Sequence, residues 1–567
     1  DRPGIATICD TLAEVMPEVL GSIHFPKSTR WNASGVSYSR PIRWYVALLG
    51  DAVVPFEYAG ARSGRVTRGL RPQGSPRIEI PSAAEYPRLM REAGVTLRID
   101  ERQANILEQA RSLAMEVGGE LGSDAELIRE VANLVEHPLA LRGGFGSSFL
   151  RLPDIVLLAV MRKHQRYLRV VRDGKLLPYF IAIANGATLD VDAVRFGNEE
   201  VLRARYADAV FFYDADTEQP LECFTPRLST LTFQDQLGSI LDKVHRLEGL
   251  VTDLGEMLGL SPDELADAER AASLCKSDLA TQMVVDLTAL QGQMGRHYAE
   301  RSGERPSVAL AIEEHYLPRF AGDRLPASLP GLVVGLADRL DTLVGLFSVG
   351  IRPSGAADPW GLRRAALGVI QLLLGKHLSL SLSRALSMAA QRLPVETDEG
   401  IVREVADFVG RRYQGYLQEQ GFRYDMVAAV LRPRGNDPYL ASGTLQAFVR
   451  WVQRDDWREL LDTYARCVRI TRDLYQKAKS EAQESVEPST RALYDAYRKA
   501  KAKVSNDPSA DGLFTALRDL QPAIRRFFDD VLVMDEDLAL RHNRLGLLQA
   551  IGALTDGIVD LTVMECF

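Results

Sequence analysis

The spacing of apolar residues changes about 235 residues into the chain. Before that point, β-branched and aromatic runs alternate with stretches of helical spacing, a pattern typical of mixed α and β structure. After it the strand signals fade and helical spacing dominates. The predicted elements of the first part are a strand over 41–50, helices over 100–118 and 153–165, and strands over 167–171 and 177–184. The predicted helices of the second part cover 242–260, 263–300, 306–320, 330–349, 361–392, 401–420, 443–479, 489–504, 511–529 and 535–560.

Turn residues and composition divide these elements into regions. Asp173-Gly174 lies between two strand-like runs and predicts a β-hairpin turn. Segments rich in Pro and Gly at 322–331, 351–359 and 432–443 are expected to be connections. The sequence therefore predicts a multidomain α+β protein. The expected regions are a mixed α/β body over 1–235, a helical domain over 236–375, a helical linker over 376–442 and a C-terminal helical domain over 443–567.

Composition excludes several classes of protein. Of 567 residues, 46% are hydrophobic and 25% charged, as in soluble globular proteins, and no apolar run approaches the roughly 20 residues that span a bilayer. The five cysteines form no Cys-x-x-Cys pair, which argues against a disulfide framework or a structural zinc site. They favour a reducing compartment, cytoplasmic or organellar. The N-terminus, Asp1-Arg2-Pro3-Gly4, has neither a signal segment nor an initiator Met, so we expect a trimmed or partial chain.

The C-terminal segment 535–551 is a candidate for RNA contact. Its leucines recur at helical spacing, and its acidic residues come first, where they suit the positive end of a helix. Arg541 and Arg544 are three apart and share a face, with Asn543 beside them. The helix either presents guanidinium groups and an amide to RNA or is a capped surface helix with solvated arginines, and the spacing leaves both open.

A second cationic group precedes this segment. Arg466, Arg469 and Arg472 recur every third residue and share a predicted helix face. The formal net charge of −8 opposes phosphate binding by the surface as a whole, but a local stripe of this kind can follow an RNA backbone. For the arginines of segment 535–551 there is an alternative. Arg541 and Arg544 would form internal ion pairs with Asp537 or Asp529 and matter only for folding.

A third basic group lies in the first part of the chain. Lys163, His164 and Arg166 follow one another where a predicted helix gives way to a strand. They are candidates for RNA contact, and a solvated helix end would show the same pattern.

The densest polar cluster lies at 276–316, with more carboxylates at 338–341. Helices that carry His and Asp hold a metal and activate water in phosphohydrolases of the His-Asp type. Such a site needs an adjacent His-Asp dipeptide, and this sequence has none. Lys276 precedes Asp278, and a cation at that point disfavours a divalent metal. We therefore expect a structural cluster without a metal, with an active phosphohydrolase as the alternative.

Unusual strings of residues recur along nearly the whole sequence. They include 197–209 (GNEEVLRARYADA), 275–284 (CKSDLATQMV), 311–318 (AIEEHYLP), 336–347 (LADRLDTLVGLF) and 540–548 (LRHNRLGLL). The strings resemble the beta subunit of tetrameric, bacterial-type glycyl-tRNA synthetase. Two departures from the family pattern are 286–289, which reads Asp-Leu-Thr-Ala in place of Glu-Phe-Pro-Glu, and Leu70 in place of His.

The resemblance implies a fold and a function. The body would be of the phenylalanyl-tRNA synthetase beta-subunit type, followed by a helical domain of the His-Asp type that has lost its catalytic pattern and an all-α anticodon-binding domain. The chain would position tRNA(Gly) for a separate alpha subunit, which would use ATP and Mg to form the adenylate. We accordingly expect no cofactor and no catalytic residue on this chain, and an assembly of two alpha and two beta subunits.

Absent motifs agree with that division of labour. The sequence has no phosphate-binding loop ending in Gly-Lys-Ser/Thr, no His-Ile-Gly-His or Lys-Met-Ser-Lys-Ser, and no Gly-rich strand ending in Glu-Arg. Adenylate chemistry would therefore belong to another chain. The alternatives are the metal-dependent phosphohydrolase, a single-chain synthetase of the arginyl type, which the missing class I motifs disfavour, and a non-catalytic scaffold subunit.

Overall fold

The structure, a computed structural model, describes residues 5–25, 27–186, 190–355, 358–472, 487–565 and 567. It is mostly helical with a small sheet region. The chain forms two compact units, residues 1–216 and 217–567. The described residues include no helix that is both long and apolar enough to cross a membrane. The predicted division into four regions stays a prediction.

The first unit contains thirteen of the fifteen strands found among the described residues. Its helices are α1 (Ile5–Gly21), α2 (Tyr86–Glu92), α3 (Ile99–Met115), α4 (Ala125–Leu134), α5 (Asp154–Val160) and α6 (Val191–Asp216). Nine short strands come first: β1 (Thr29–Arg30), β2 (Ser37–Tyr38), β3 (Tyr45–Val46), β4 (Leu48–Leu49), β5 (Ala52–Val53), β6 (Glu57–Tyr58), β7 (Ala61–Gly64), β8 (Val66–Arg68) and β9 (Arg77–Glu79). The predicted strand over 41–50 is therefore wrong in detail, because β3 pairs with β7 and β4 pairs with β5 in separate small sheets.

A four-stranded antiparallel sheet forms the largest β element. Its strands are β10 (Glu120–Leu121), β11 (Pro138–Gly144), β12 (Leu168–Arg172) and β13 (Lys175–Asn185), in the order β10-β12-β13-β11. The predicted hairpin is confirmed, since Asp173 (φ 51°) and Gly174 (φ 75°) turn β12 into β13 with the two positive φ angles of a type I′ turn. Helix α3 buries Ile106, Ala110 and Ala114, each four residues after the last, against this sheet.

The part of the second unit that the structure describes is helical apart from the two-stranded pair β14 (Thr232–Gln234) and β15 (Gly238–Ser239). Its first helices are α7 (Ile240–Met257), α8 (Pro262–Leu274), α9 (Gln282–Asp286), α10 (Gln293–Arg301), α11 (Pro306–Glu314), α12 (Leu329–Ser348), α13 (Leu362–Gly375) and α14 (Leu382–Ala390). The remaining helices are α15 (Glu399–Glu419), α16 (Tyr424–Arg434), α17 (Pro438–Val452), α18 (Trp457–Thr471), α19 (Pro488–Asn506), α20 (Ala510–Asp530) and α21 (Leu538–Gly552).

Helix α12 is the centre of this unit. Its own buried apolar residues occur on all sides of the helix, which is typical of a helix inside a protein core. It packs against α7, α8, α11, α13 and α14. Ser328 caps its N-terminus by accepting a hydrogen bond from the backbone N–H of Gly331. The polar residues that α12 carries, Asp338, Arg339 and Asp341, therefore lie inside the unit and need internal partners.

Several predicted helices are broken in the structure. The stretch 263–300 is three helices, because the carboxylate of Asp278 accepts backbone hydrogen bonds from Gly292 (2.6 Å) and Gly295 (3.1 Å) and folds the chain back. The predicted helix over 443–479 is two helices, α17 and α18, as far as residue 472, and residues 473–479 lie outside the part of the chain that the structure describes. Trp451 and Trp457 both pack on Phe514, and six residues apart on one straight helix they would point in different directions. The connection predicted over 432–443 is wrong, because most of it is helical in α16 and α17.

Candidate nucleic-acid interface

The predicted arginine stripe lies along α18, with Arg466 and Arg469 inside the helix and Arg472 as its C-cap residue. The apolar face of this helix packs against α20 and α21, and Arg466, Arg469 and Arg472 are all exposed. The guanidinium carbon of Arg466 lies 4.4 Å from the ring centroid of Phe528, and that of Arg469 lies 5.9 Å from the centroid of Phe567. The guanidinium groups themselves therefore lie over the two rings as cation–π pairs. Arg469 also lies 3.8 Å from Asp462 at the surface. RNA contact by the stripe stays a prediction.

Helix α21 covers Leu538–Gly552, so it is shorter at both ends than the predicted helix over 535–560, and the three acidic residues precede its first turn. Asp537 is its N-cap, and its side chain accepts hydrogen bonds from the backbone N–H groups of Ala539 (2.8 Å) and Leu540 (3.3 Å). Arg541 and Asn543 are half-exposed on this helix. They therefore remain candidates for contact with RNA.

Arg544 lies elsewhere than predicted. Its side chain is only 3% exposed, so it does not share an exposed face with Arg541. The guanidinium donates from Nη1 to Asp535 Oδ2 (2.7 Å) and to the carbonyl of Leu532 (2.8 Å), and from Nη2 to Glu487 Oε1 (2.8 Å). The backbone N–H of Asp537 and the guanidinium of Arg544 together lower the pKa of the Asp535 carboxyl. The fold thus uses Arg544 to tie the start of α19 to the loop before α21, and the partners differ from the predicted Asp529 and Asp537.

The basic group in the first unit has a similar internal use. Arg166 is in the left-handed region (φ 56°) and ends the helical turn that follows α5. Its Nε donates to Glu130 Oε1 at 2.5 Å, which links this turn to α4. Lys163 is exposed, and the side chain of His164 lies outside the part of the chain that the structure describes. Of the two side chains of this group that the structure describes, Arg166 is paired with a carboxylate and Lys163 is not.

A second cationic surface, on α19, was not among the predicted sites. Tyr494, Tyr497, Arg498 and Lys501 follow one another at steps of three, one and three residues and share one face of this helix. Arg498 and Lys501 are exposed, and the two tyrosines are half-exposed. The i, i+3, i+4, i+7 spacing of aromatic and basic residues was the sequence signal that could have found this surface.

The α19 surface opens into a groove. The groove has a volume of about 1000 Å³ and runs between α18, α19 and α21. Residues from these helices line it, among them Val468, Arg472, Tyr497, Lys501, Gly546 and Ala550. Arg472 is therefore both the end of the α18 stripe and part of this groove.

The polar cluster predicted from 276–316 is a buried network centred on Lys276. Its ammonium lies 2.9 Å from His315 Nε2 and 3.0 Å from Asp338 Oδ2, and 4.3 Å from the ring centroid of Tyr316. Lys243 lies 3.1 Å from the other oxygen of Asp338, and Lys243 and Arg246 both bind Asp341. Burial alone would raise the pKa of the Asp338 carboxyl, but the ammonium groups of Lys243 and Lys276 hold it well below its usual range.

The network has the chemistry of an internal ion cluster. In the described ranges, no group of three or more His, Cys, Asp and Glu side chains is placed to hold a metal ion. The ligand atoms that a cation would use, His315 Nε2 and Asp338 Oδ2, already face the ammonium of Lys276. A lysine charge thus occupies the point between the histidine and the aspartate.

Two family models match the sequence. One, described as glycyl-tRNA synthetase beta subunit, matches residues 3–432, and the other, described as DALR anticodon binding domain, matches residues 460–561. The second match runs from residue 460 in α18 through α21, so it includes the arginine stripe and most residues that line the groove.

Curated relatives match over nearly the whole chain. Glycine–tRNA ligase, chloroplastic/mitochondrial 2, of Arabidopsis thaliana is 41% identical over 561 residues, 98% of this chain and 52% of the relative. The glycine–tRNA ligase beta subunits of Clostridioides difficile (strain 630) and Myxococcus xanthus (strain DK1622) are 39% and 40% identical, over 98% of this chain and 81% of each relative. The chain thus spans about half the length of the plant relative and about four fifths of the bacterial ones.

Proposed function

Because the chain belongs to the glycyl-tRNA synthetase beta subunit family, we propose that it is the tRNA-binding subunit of a glycine–tRNA ligase. In this proposal, residues 443–567 form the anticodon-binding domain and hold tRNA(Gly), while a separate alpha subunit attaches glycine to its 3′ end. Holding the tRNA in register replaces a bimolecular encounter by a positioned one, and this lowers the barrier to the reaction.

One observation carries the proposal. The chain has a formal net charge of −8, yet exposed cations collect on α18 and α19, inside the region that matches an anticodon-binding model. Local cation excess of this kind supplies the phosphate contacts on which most RNA affinity depends. The groove beside it offers a place for unstacked bases, which carry sequence information in RNA.

The finer architecture is proposed from the family. We propose that residues 1–235 are a body of the phenylalanyl-tRNA synthetase beta-subunit type, that 236–375 form a degenerate domain of the His-Asp type, and that 376–442 connect it to the anticodon-binding domain. The buried Lys276 supports the proposal that this domain has lost a metal site, because a fixed side-chain charge lies between His315 and Asp338.

Catalysis is assigned to the partner. We propose that ATP, Mg and glycine bind the alpha subunit and that this chain has no cofactor and no catalytic residue, in an assembly of two alpha and two beta subunits. The absence of a nucleotide-binding motif from the full sequence supports this. The compartment is that of the tRNA, cytoplasmic or organellar.

An aminoacylation assay tests the proposal. The purified chain, an alpha subunit from a relative's organism and tRNA(Gly) are combined, and glycyl-tRNA formation is measured with and without each protein. We expect glycylation only when both proteins are present, and no glycine-dependent ATP–pyrophosphate exchange by this chain alone. Robust exchange by this chain alone contradicts the division of labour. Glycylation that needs the chain although the chain has no affinity for tRNA would indicate a scaffold subunit.

A further inference from the structure

The groove beside α19 combines the two features that single-stranded RNA needs. An aromatic side chain, Tyr497, lines it and is half-exposed. Cations from two different helices line the same groove, Arg472 from α18 and Lys501 from α19. A groove that combines an aromatic ring with cations can stack a base and bind its neighbouring phosphates.

The charges around the groove favour an anion. Arg432 is paired with Asp560 at 3.0 Å, and Asp556 is the other carboxylate on the rim. Arg472 and Lys501 have no carboxylate partner among the described residues, whereas Lys503, on the opposite side of α19, is paired with Asp519 at 2.8 Å. Arg498, next to Tyr497, extends the exposed positive charge along this face of α19 beyond the groove.

The opposite wall leaves room for a flat ring. It is formed by α21 and the turn that follows, where Gly546, Ala550 and Gly552 line the groove. These residues leave this part of the wall without long side chains, while Tyr497 supplies an aromatic ring to the same groove. A duplex presents its bases stacked inside the helix and offers no base to such a groove.

We propose that this groove binds an unstacked nucleotide of a single-stranded RNA loop, with Tyr497 stacking on the base and Arg472 and Lys501 contacting the flanking phosphates. The inference rests on the proposed function, because the RNA that carries the loop is tRNA. Under this proposal, Tyr497 and Lys501 bind RNA. Arg472 contacts a phosphate in the groove, while Arg466 and Arg469 lie outside the groove.

Binding of a labelled tRNA(Gly) transcript to the full chain tests the proposal. Tyr497→Leu keeps an apolar side chain but removes the π-face, and Tyr497→Phe keeps it. We expect Tyr497→Leu to weaken binding about tenfold and Tyr497→Phe to bind as the unchanged chain does. A blunt-ended RNA duplex of equal length should bind all three proteins alike, because it has no loop base to stack. Thermal melting confirms that each variant is folded.

Two lysines on α19 provide a matched pair for the phosphate contact. Lys501→Gln should weaken tRNA binding several-fold and reduce the slope of log affinity against log salt by about one. Lys499→Gln, two residues away on a different face of the helix, should change the affinity for tRNA and the salt slope much less.

Three outcomes overturn the assignment. If the unchanged chain binds tRNA and folded Tyr497→Leu binds equally well, the groove is not the site while the proposed function stands. The same holds if Lys499→Gln and Lys501→Gln lose equal affinity. If the unchanged chain has no affinity for tRNA, both the groove assignment and the proposed function fail.

Discussion

The ammonium of Lys276 lies 2.9 Å from Nε2 of His315, and both residues are buried. His315 Nδ1 lies 2.6 Å from the carbonyl oxygen of Ile312 and donates its proton there, which leaves Nε2 to accept from the ammonium. Burial and the nearby ammonium lower the pKa of the His315 ring well below its ordinary value. The ring is therefore neutral, and the lysine supplies the positive charge that balances Asp338.

Lys276→Met should destabilise the protein strongly. The change fills the same space without the charge, so His315 Nε2 and Asp338 Oδ2 lose their shared partner inside the unit. Breaking a buried ion pair by removing one member costs about 3–5 kcal/mol. Denaturant unfolding measures the loss. Lys499→Met, an exposed lysine, is the control and should stay within about 0.5 kcal/mol. Equal stability of Lys276→Met and the unchanged chain would show that the network contributes nothing.

Treatment with a chelator should leave the second unit unchanged. The reason is the position of Lys276, whose ammonium already contacts the histidine and carboxylate atoms that a divalent ion would use. We expect EDTA to alter neither the melting temperature nor the affinity for tRNA. Elemental analysis of the untreated protein is the companion measurement. A large fall in melting temperature with EDTA, restored by one added metal, would replace the lysine-centred description by a metal site.

The sequence predicts the network only in part. The missing His-Asp dipeptide and the nearby Lys276 were enough to argue against a metal. The pairing of Lys276 with Asp338, 62 residues away, depends on how α12 packs beside α8 and α11, and local spacing does not contain that information. Helical periodicity likewise found α12 but missed the breaks after α8 and α17, which long-range contacts to Asp278 and Phe514 impose.

Asp278 should make stability depend on pH. Burial raises the pKa of its carboxyl to about 6, although the backbone N–H groups of Gly292 and Gly295 oppose this. Between the ordinary pKa of 3.8 and about pH 6, the folded protein therefore keeps a proton on Asp278 that the unfolded chain has released. Its contribution is full at low pH and is lost as pH rises through about 6.

Asp278→Asn isolates this contribution, because the amide oxygen can still accept from Gly292 and Gly295 and does not titrate. The stability of the variant relative to the unchanged chain should improve by about 1 kcal/mol between roughly pH 5 and pH 7.5. Unfolding curves at several pH values measure the difference. Asp556→Asn, at an exposed position, is the control and should run parallel to the unchanged chain. Parallel curves for Asp278→Asn as well would mean that Asp278 titrates normally.

The candidate RNA surface shows a similar limit of local sequence. The exposure of Arg466, Arg469 and Arg472 follows from their position opposite the apolar face of α18, which spacing alone reveals. Three-residue spacing also placed Arg544 beside Arg541, but it could not show that this side of α21 meets Glu487 from a distant part of the chain. Burial of a charged residue depends on such a partner and is invisible in the periodicity.

Arg544→Ala and Arg541→Ala should therefore have different effects. Arg544 has three hydrogen-bonded partners inside the fold, and its loss leaves Asp535 and Glu487 without their shared cation. Because both carboxylates keep some access to solvent, we expect a loss of stability of about 2–3 kcal/mol in denaturant unfolding. Arg541 is half-exposed, so Arg541→Ala should lower the free energy of unfolding by less than about 0.5 kcal/mol. At temperatures where both variants are folded, Arg544→Ala should bind tRNA as the unchanged chain does, and Arg541→Ala should bind it more weakly. A folded and fully stable Arg544→Ala with weakened tRNA binding would return Arg544 to the RNA-contacting surface and show that its ion pairs open in the complex.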